Sequence, residues 1–246
     1  MSIQSEAVSA HVLVVGGSSG MGLSLAERLL QSGTFVTIAG RSEDRLRAAR
    51  DSLPCSHNLQ TVKADVTREE EVIQLLAGIG PLDHIVSTAA DIGGAYVLLP
   101  DMDVSIAKKV LDSKIIAPLL LAKHGAARLR AGGSLTFVSG IAAYRPAAKG
   151  TVVAAVNGAL ASLTYALAVE LAPIRVNAVS PGWVDTPIWE AVAGNHKAAT
   201  LAAMAKRLPA GRIGHPSDIA AAIESAMQNG FMTGSVLHVD GGQRLV

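Results

Sequence analysis

Short apolar runs alternate with helix-like segments along this chain, and that alternation limits its fold more than any other feature of the sequence. Seven of the runs are predicted as strands, at 11–17, 34–40, 59–66, 83–90, 133–140, 174–182 and 235–242. Strands that are apolar throughout and separated by helices indicate a parallel sheet covered on both faces. Right-handed crossovers then give a doubly wound parallel sheet, the Rossmann fold. The sequence therefore predicts one α/β domain of about seven strands over residues 1–246.

Helices are predicted between these strands from their apolar spacing and end signals. Their predicted ranges are 21–31, 43–53, 103–130, 151–172 and 217–229, with a further helix after Thr67. Ser42 is the predicted N-cap of the second helix. Thr67 and Glu70 have the spacing of a capping box, which predicts a helix that begins at this point.

The composition excludes several classes of function. Aromatic residues make up 3% of the chain and the net charge is +1, so neither base stacking nor phosphate-backbone binding is expected. Nucleic acid is therefore not a predicted partner. Cys55 is the only cysteine and the histidines are scattered, so neither an intrachain disulfide nor a metal site is predicted.

Two features bear on where the protein works. The first residues lack the basic and apolar regions of a signal peptide, and a single cysteine suits a reducing compartment, so a cytoplasmic protein is predicted. The most apolar long segment, 151–172, is interrupted by polar residues such as Asn157 and Glu170. We interpret it as a buried helix rather than a membrane span, and predict no membrane contact.

The first strand runs into the sequence GGSSGMG, residues 16–22. A glycine-rich turn between a strand and a helix lets backbone N–H groups approach a pyrophosphate, because a Cβ atom there would block the approach. The helix that follows directs the positive end of its dipole at the anion. The turn therefore predicts a dinucleotide site at the carboxyl end of the first strand.

The spacing G-x-x-x-G-x-G, formed by Gly16, Gly20 and Gly22, resembles that of the short-chain dehydrogenase/reductase family. Four further segments resemble the same family in the same order: AGRSEDRL (39–46), ADV (64–66), LAVELAPIRVNAVSPGWVDTP (167–187) and TGSVLHVDGG (233–242). The likeness covers essentially the whole chain. It implies a nicotinamide-dependent oxidoreductase with a small-molecule substrate, assembled as a homo-oligomer that is either a dimer or a tetramer.

The resemblance also assigns residues to the parts of the cofactor. The residues that would surround the phosphates are Gly16, Ser18, Ser19, Gly20, Met21 and Gly22. Asp65 and Val66 would hold the adenine ring, Ala89 would flank a ribose, and Asn157 retains a group that can hydrogen-bond a ribose hydroxyl. The residues implied at the nicotinamide end are Pro181, Gly182, Val184 and Thr186. The segment 188–214 would cover the substrate.

The residue after the second strand bears on the choice of cofactor. A member that prefers NAD carries an acid at the end of this strand, whereas this chain has Gly40 followed by Arg41. A guanidinium can clamp a 2′-phosphate through paired charge-assisted hydrogen bonds. Arg41 is therefore predicted to select NADP(H), and the alternative is a solvated surface charge.

All four catalytic positions implied by the resemblance hold other residues here. The lysine position falls on Asn157, and the tyrosine position, one helical turn earlier, falls on Val153. The serine position falls on Gly140 and the asparagine position on Lys114. Valine cannot donate a proton, and asparagine carries no charge that would lower the pKa of a phenol. The usual proton transfer of the family is therefore not expected.

Three residues are candidates to replace the missing groups. Tyr144, on the loop beyond the fifth strand, is either a proton donor or part of a pocket wall. Lys114 would polarise a carbonyl or anchor an acidic substrate, unless it is a surface charge. Ser139 would supply the hydroxyl that Gly140 lacks, or would bond backbone, since adjacent strand residues point to opposite faces.

Two functions fit this combination of an intact cofactor site and altered catalytic positions. The first is an atypical NADPH-dependent oxidoreductase that acts on a carbonyl or quinone-like acceptor with non-standard proton delivery. The second is a catalytically inactive NADP(H)-binding protein that senses redox state or supports an active partner. The segment PGWVDTP (181–187) favours the first, because a nucleotide sensor does not need the nicotinamide end.

Overall fold

The computed structural model describes residues 9–54 and 56–246, so Cys55 lies outside the described residues. One sheet is formed by β1 (His11–Val15), β2 (Phe35–Gly40), β3 (Leu59–Lys63), β4 (Leu82–Ser87), β5 (Leu129–Val138), β6 (Arg175–Pro181) and β7 (Ser235–Val239). Their order across the sheet is β3-β2-β1-β4-β5-β6-β7, and each neighbouring pair is parallel. The predicted seven-stranded parallel sheet is confirmed.

Helices cover both faces of this sheet. The α-helices of the described residues are α1 (Gly20–Gln31), α2 (Glu43–Ser52), α3 (Glu69–Gly78), α4 (Val104–Leu111), α5 (Ala117–Gly125), α6 (Thr151–Glu170), α7 (Ile188–Ala193), α8 (Lys197–Ala205) and α9 (Pro216–Gln228), of which α7 and α8 lie in the segment after β6. On one face, Leu25 of α1 and Ile219 of α9 share a buried cluster with Val14 of β1. On the other face, Leu160 of α6 packs in a cluster with Phe137 of β5. The two clusters make the sheet doubly wound, as predicted.

The strand order reverses at the middle of the sheet. The chain runs from β1 outward to β2 and β3, and then returns to the other side of β1 as β4. Loops that leave the carboxyl ends of β1 and β4 therefore diverge, and a crevice opens between them. The fold places any ligand site at this edge.

The start of α3 differs from its prediction, whereas the start of α2 agrees. Ser42 accepts a hydrogen bond from the Arg45 N–H at 3.3 Å, which confirms its capping role. The predicted capping box of Thr67 and Glu70 is wrong, because the N-cap is Arg68 and its side chain makes no capping bond. The Thr67 hydroxyl instead donates to Asp65 Oδ1 at 2.7 Å, which closes a local turn before the helix.

The predicted long helix 103–130 is broken into pieces. Helix α4 ends at Leu111, a π turn covers Asp112–Ile116, and α5 follows. Pro118 has no N–H to donate to the carbonyl of Lys114, so a regular α-helical ladder cannot run through this point. The chain enters β5 at Leu129, earlier than the predicted strand start at 133.

Helix α6 is long and apolar enough to cross a membrane by length and composition, with 39% of its most apolar stretch buried inside the protein. Its buried side chains are Val153, Val156, Asn157, Leu160, Ala161, Thr164 and Leu167. They lie along the face that packs on the sheet. This burial agrees with the interpretation of the segment as a helix that packs on the core.

Candidate functional site

A cavity of about 570 Å³ lies at the carboxyl ends of β1, β2, β3 and β4. The predicted cofactor residues that line it are Gly16, Ser18, Ser19, Gly20, Met21, Arg41, Asp65, Val66, Ala89 and Thr186. Five other predicted cofactor residues do not line it: Gly22, Asn157, Pro181, Gly182 and Val184. The structure thus brings together most of the residues predicted for the phosphates and the adenine, and adds Thr186 from the set predicted at the nicotinamide end.

Glycine is required at two points of the turn between β1 and α1. Gly16 has φ +81°, and a Cβ atom on it would lie 2.8 Å from the Ala89 nitrogen at the end of β4. A Cβ atom on Gly22 would overlap the Gly16 carbonyl. Thr88 holds the same corner, because its hydroxyl donates to the Val15 carbonyl at 3.1 Å. The turn is therefore packed so closely that backbone, rather than side chains, forms the cavity wall.

The first turn of α1 presents unpaired N–H groups to this cavity. Ser19 is the N-cap residue, but its side chain makes no capping hydrogen bond, and the first turn contains no acid. Free N–H groups at a helix N-terminus bind anions, and the helix dipole adds to the attraction. This turn fits the pyrophosphate of a dinucleotide.

Two arginines stand at the far wall of the cavity, beyond β2. Gly40 ends β2 with no acid, and Arg41 and Arg45 line the cavity from the following loop and helix. Arg41 Nη1 lies 3.0 Å from Asp91 Oδ2, an ion pair whose partners are both well exposed. This ion pair joins the loop after β2 to the loop after β4. Asp65, also on the wall, accepts hydrogen bonds from the Thr67 N–H and hydroxyl.

The residues predicted at the nicotinamide end pack mostly into the protein. Pro181 is the buried last residue of β6. A Cβ atom on Gly182 would lie 2.7 Å from the Asp240 Cα atom, so glycine lets this turn meet the C-terminal segment. Val184 is in the buried cluster beside α9 and forms a bridge with Gly214. Only Thr186 of this group faces the cavity.

Val153, the residue predicted at the family's tyrosine position, lies in a small apolar cluster. It is 4% exposed and packs with Ala95, Val110 and Val156. Valine here completes the packing between α4 and α6 and brings no acid–base group.

Gly140 and Asn157 are adjacent in space and fit each other. A Cβ atom on Gly140 would lie 2.7 Å from Asn157 Nδ2, so the amide occupies the space that a side chain at 140 would fill. Asn157 is 3% exposed, and its Oδ1 atom has no hydrogen-bond partner among the described residues. The residues predicted at the serine and lysine positions of the family therefore form one interlocked pair.

Lys114 points into the protein rather than to solvent. It lies on the π turn, is 6% exposed, and donates from Nζ to the Val138 carbonyl at 2.8 Å and the Ser139 carbonyl at 3.2 Å. Burial lowers the pKa of Lys114 to about 8. An amine is thus held at the carboxyl end of β5, close to the Gly140 and Asn157 pair. The alternative of a surface charge is wrong for this residue.

The other two candidate groups are engaged elsewhere. The Ser139 hydroxyl donates to the Asn157 carbonyl at 3.0 Å and is buried. The Tyr144 ring contacts the His238 ring edge-on, with 4.4 Å between centroids. Burial, and then the Tyr165 hydroxyl beside it, raise the pKa of Tyr144, which makes this phenol a weaker acid than usual. Neither residue lines the cavity.

Several cavity residues were not anticipated from the sequence. Asp91 and Ser113 line the cavity, and the Ser113 hydroxyl accepts a hydrogen bond from the Asp91 N–H at 3.0 Å. Arg45 could have been found, because it lies four residues after Arg41 at the start of a predicted helix. Ser113 could not, since its direction depends on the π turn.

Comparison with known proteins agrees with this architecture. A family model described as enoyl-(acyl carrier protein) reductase matches residues 15–244. The chain is 35% identical to cis-4-hydroxycyclohexanecarboxylate dehydrogenase of Sinomonas cyclohexanicum, over 98% of this chain and 99% of that protein. It is 32% identical to the short-chain dehydrogenase/reductase malC of Malbranchea aurantiaca, over 96% of this chain and 94% of that protein.

Solved structures give the same result. A small-chain dehydrogenase solved in complex with NADPH is 35% identical, with a TM-score of 0.82 over 97% of this chain and 100% of that chain. The MalC reductase/Diels-Alderase from Malbranchea aurantiaca is 31% identical, with a TM-score of 0.89 over 97% of each chain. Together with the match of the family model, these likenesses identify the chain as a member of the short-chain dehydrogenase/reductase family, whose enzymes use nicotinamide cofactors.

Proposed function

We propose that the protein is an NADPH-dependent oxidoreductase that acts on a carbonyl or quinone-like acceptor with a non-standard source of the proton. The observation that carries the proposal is the cavity lined by the uncapped first turn of α1 and by glycine backbone. When bound, NADPH supplies the hydride. Backbone around Ser18 to Gly22 would hold its pyrophosphate, Asp65 and Val66 its adenine, and Ala89 a ribose.

The basic wall of the cavity supports NADP(H) over NAD(H). Arg41 and Arg45 line it, and no acid stands at the end of β2 to accept hydrogen bonds from ribose hydroxyls. Arg41 holds the Asp91 carboxylate in the present arrangement, so an anion is already accommodated beside it. A 2′-phosphate offers a guanidinium more charge and two parallel hydrogen bonds. The related dehydrogenase solved with NADPH supports the same choice.

The acceptor follows from the groups that replace the family's catalytic residues. Val153 provides no proton, so a ketone whose oxygen must be protonated as hydride arrives would be reduced slowly. A quinone-like acceptor delocalises the negative charge and is protonated later. The Asn157 amide, which fills the space over Gly140, is suited to donate a hydrogen bond to the acceptor oxygen. The nicotinamide end would be completed by Pro181, Gly182, Val184 and Thr186, as the resemblance to the family implies.

The segment 188–214 is proposed to cover the substrate within this single domain. It contains α7 and α8, and Ile188 at its start lines the cavity. Lys197 Nζ lies 2.9 Å from Asp185 Oδ1, an ion pair that ties α8 to the loop after β6. Arg207 lies over the Trp183 ring at 5.5 Å from its centroid. These contacts hold the segment over the loop that carries Thr186.

A homo-oligomer, either a dimer or a tetramer, is proposed from the outer face of α6. Tyr165 and Val169 are exposed there, the latter by 81%, beside small residues such as Ala155 and Ala159. Small side chains let helices approach closely, and exposed apolar surface on a helix favours a partner.

The test is a restoration experiment. We would first titrate the wild type with NADPH by cofactor fluorescence, and then follow NADPH oxidation with a panel of ketones, diketones and quinones. The same panel is applied to Gly140→Ser/Val153→Tyr/Asn157→Lys. The matched control is Gly140→Ser/Val153→Phe/Asn157→Lys, which adds the same ring without the hydroxyl.

Three outcomes separate the functions. Turnover of quinones or diketones by the wild type, with ketones gained only by the tyrosine-containing variant, supports an oxidoreductase with altered proton delivery. NADPH binding without any wild-type turnover, together with activity in the restored variant, favours the alternative of an inactive NADP(H)-binding protein. Absence of NADPH binding by the wild type contradicts both.

A further inference from the structure

Polar side chains form a row across three neighbouring strands at the carboxyl side of the sheet. Val138 of β5 pairs with Val179 of β6, and the next N–H, that of Ser139, donates to the Val179 carbonyl at 2.8 Å. Ser139 and Ser180 are therefore neighbours at the ends of these strands. Ser180 pairs in turn with His238 of β7. Register partners in parallel strands carry their side chains on the same face, so the three side chains lie side by side.

The row lies on the face that α6 covers. The Ser139 hydroxyl donates to the Asn157 carbonyl of α6 at 3.0 Å, which fixes the direction of this side chain. Leu237 and Val239, on either side of His238, pack against the cluster on the opposite face. Because side chains alternate along a strand, His238 faces α6. The polar row thus runs between the sheet and α6.

Three polar atoms in this layer, two in the row and one on Asn157 of α6, have no hydrogen-bond partner among the described residues. They are Asn157 Oδ1, Ser180 Oγ and His238 Nδ1, and each is a buried atom. Ser180 is completely buried. An unpaired buried polar atom lowers the stability of the folded protein by about 1–3 kcal/mol. Three such atoms in one layer therefore indicate that a hydrogen-bond partner lies between them. Strands about 4.8 Å apart leave neighbouring polar side chains within reach of a bridging water, which is the usual partner of such groups.

The two ends of the row differ in their surroundings. Asn157 of α6 stands at the inner end, beside Gly140, where the proposed function would put the acceptor oxygen. His238 stands at the outer end on the last strand of the sheet order, where its ring contacts Tyr144, a residue 38% exposed. The charged groups near His238 are Arg244 and Asp240 of the C-terminal segment, and Tyr165 of α6 adjoins Tyr144. The row therefore leads from the proposed site to the protein surface.

We propose that bound water links Asn157, Ser180 and His238 into a proton path beneath α6. This path rests on the proposed function, which does not say where the acceptor obtains its proton. The path names that source. A carbonyl acceptor that gains a hydride forms one C–H bond and leaves its oxygen with one negative charge. That oxygen takes one proton from the water held at Asn157. The proton is replaced along the row from the His238 imidazolium, which regains a proton from solvent.

The path predicts a pH dependence with a definite sign. Burial lowers the pKa of His238, the nearby Arg244 lowers it further, and Asp240 opposes both. The imidazolium is therefore present at acid pH. As the pH rises, it loses its proton at a lower pH than an ordinary histidine does. Reduction of an acceptor that needs this proton falls over that same range, while reduction of an acceptor that does not need it stays level.

The kinetic test compares two acceptors in three variants. We would measure NADPH oxidation with an aromatic aldehyde, which needs its proton during hydride transfer, and with a quinone, which does not. Ser180→Ala and His238→Gln are expected to lower the ratio of aldehyde to quinone rates about 100-fold, the low end of the contribution of a proton-transfer group. His238→Gln should also remove the acid-favoured limb of the aldehyde profile. The control is Thr136→Val, which removes a buried hydroxyl, also without a partner, from β5. An unchanged ratio in both row variants overturns the path.

If the wild type reduces neither acceptor, that outcome contradicts the proposed function alone. A second measurement then still tests the water-linked path. NMR titration of the His238 ring, with 15N label, reports its pKa in the folded protein. Ser180→Ala is expected to shift that titration, and Thr136→Val to leave it unchanged. Crystals of the wild type should show ordered water between Ser180 Oγ and His238 Nδ1. An unshifted titration with no water at this place overturns the proposal.

Discussion

The turn after β1 and the junction of β5 with α6 show two ways in which a site is built. The turn forms its wall from backbone, with Gly16 and Gly22 in places where a Cβ atom would collide. The junction forms its surface from side chains that fill one another's space, as Asn157 does over Gly140. The first arrangement serves any dinucleotide, whereas the second is specific to the residues that compose it.

This difference gives a physical reason for the prediction that the chain keeps the family pattern at the turn but not at the junction. Backbone N–H groups recognise a pyrophosphate without regard to the reaction that follows. A serine at 140 requires an empty space that the Asn157 amide occupies, so we expect the energetic effects of changes at positions 140 and 157 to be coupled. Val153 adjusts independently, because it packs with Ala95 and Val110 instead. Substitutions in each region are therefore expected to have separate effects, on cofactor binding at the turn and on stability at the junction.

Gly16→Ala is expected to weaken NADPH binding about 100-fold, or ~2.7 kcal/mol. Gly16 has φ +81°, and the added Cβ would lie 2.8 Å from the Ala89 nitrogen, which forces the turn out of the cavity wall. Fluorescence titration with NADPH measures the loss. Gly78→Ala is the control, since a Cβ atom there meets nothing within 4 Å. Wild-type affinity in a folded Gly16→Ala variant would show that the turn does not carry cofactor binding.

Gly140→Ser alone is expected to lower the free energy of unfolding by about 2 kcal/mol, the cost of overpacking a filled space. The Gly140 φ of 177° is an extended conformation that serine adopts, so the cost comes from the contact with Asn157. Combining it with Asn157→Ala should recover about 1 kcal/mol or more relative to the sum of the two changes. Urea denaturation of the four proteins measures this coupling. Strict additivity would mean that the pair is not interlocked.

Lys114 is expected to make the protein more stable as the pH rises above its folded pKa. That pKa is about 8, whereas the ordinary value is 10.5, so between these values the unfolded chain binds a proton that the folded protein lacks. From about pH 7.5 to about pH 9.5 the wild type should gain ~2 kcal/mol relative to Lys114→Met. Urea denaturation at both pH values provides the comparison. Equal pH dependence in the two proteins would place the amine in contact with solvent.

The features predicted from sequence are those fixed by local structure. The strands, their parallel arrangement and the glycine turn follow from apolar runs and from residues a few positions apart. The Ser42 cap is equally local, and it is confirmed. The Thr67 capping box failed because Asp65 takes the Thr67 hydroxyl, a competition between two local partners that spacing alone does not rank.

The features that escaped prediction depend on how distant segments meet. Lys114 reaches the β5 carbonyls because a π turn rotates its side chain inward, and that turn interrupts a segment that reads as one helix. The contact of Tyr144 with His238 joins residues almost a hundred positions apart. Asp91 lies in the cavity wall because its carboxylate pairs with Arg41 and its N–H donates to the Ser113 hydroxyl. None of these contacts leaves a periodic signal in the sequence.

The smallest expected effect concerns this Arg41–Asp91 ion pair, at the boundary of the backbone-built region. Asp91→Asn removes the carboxylate that competes with a 2′-phosphate for Arg41, so NADPH should bind about 3-fold more tightly while NADH is unchanged. The effect is small because both partners are well exposed, and an exposed ion pair contributes less than about 1 kcal/mol. It should also diminish at high salt. Asp44→Asn is the control, since it breaks the exposed pair with Arg47 on α2, which lies outside the cavity lining. Equal gains for NADPH and NADH would mean that Asp91 acts on the cofactor as a whole, and that Arg41 does not discriminate the phosphate.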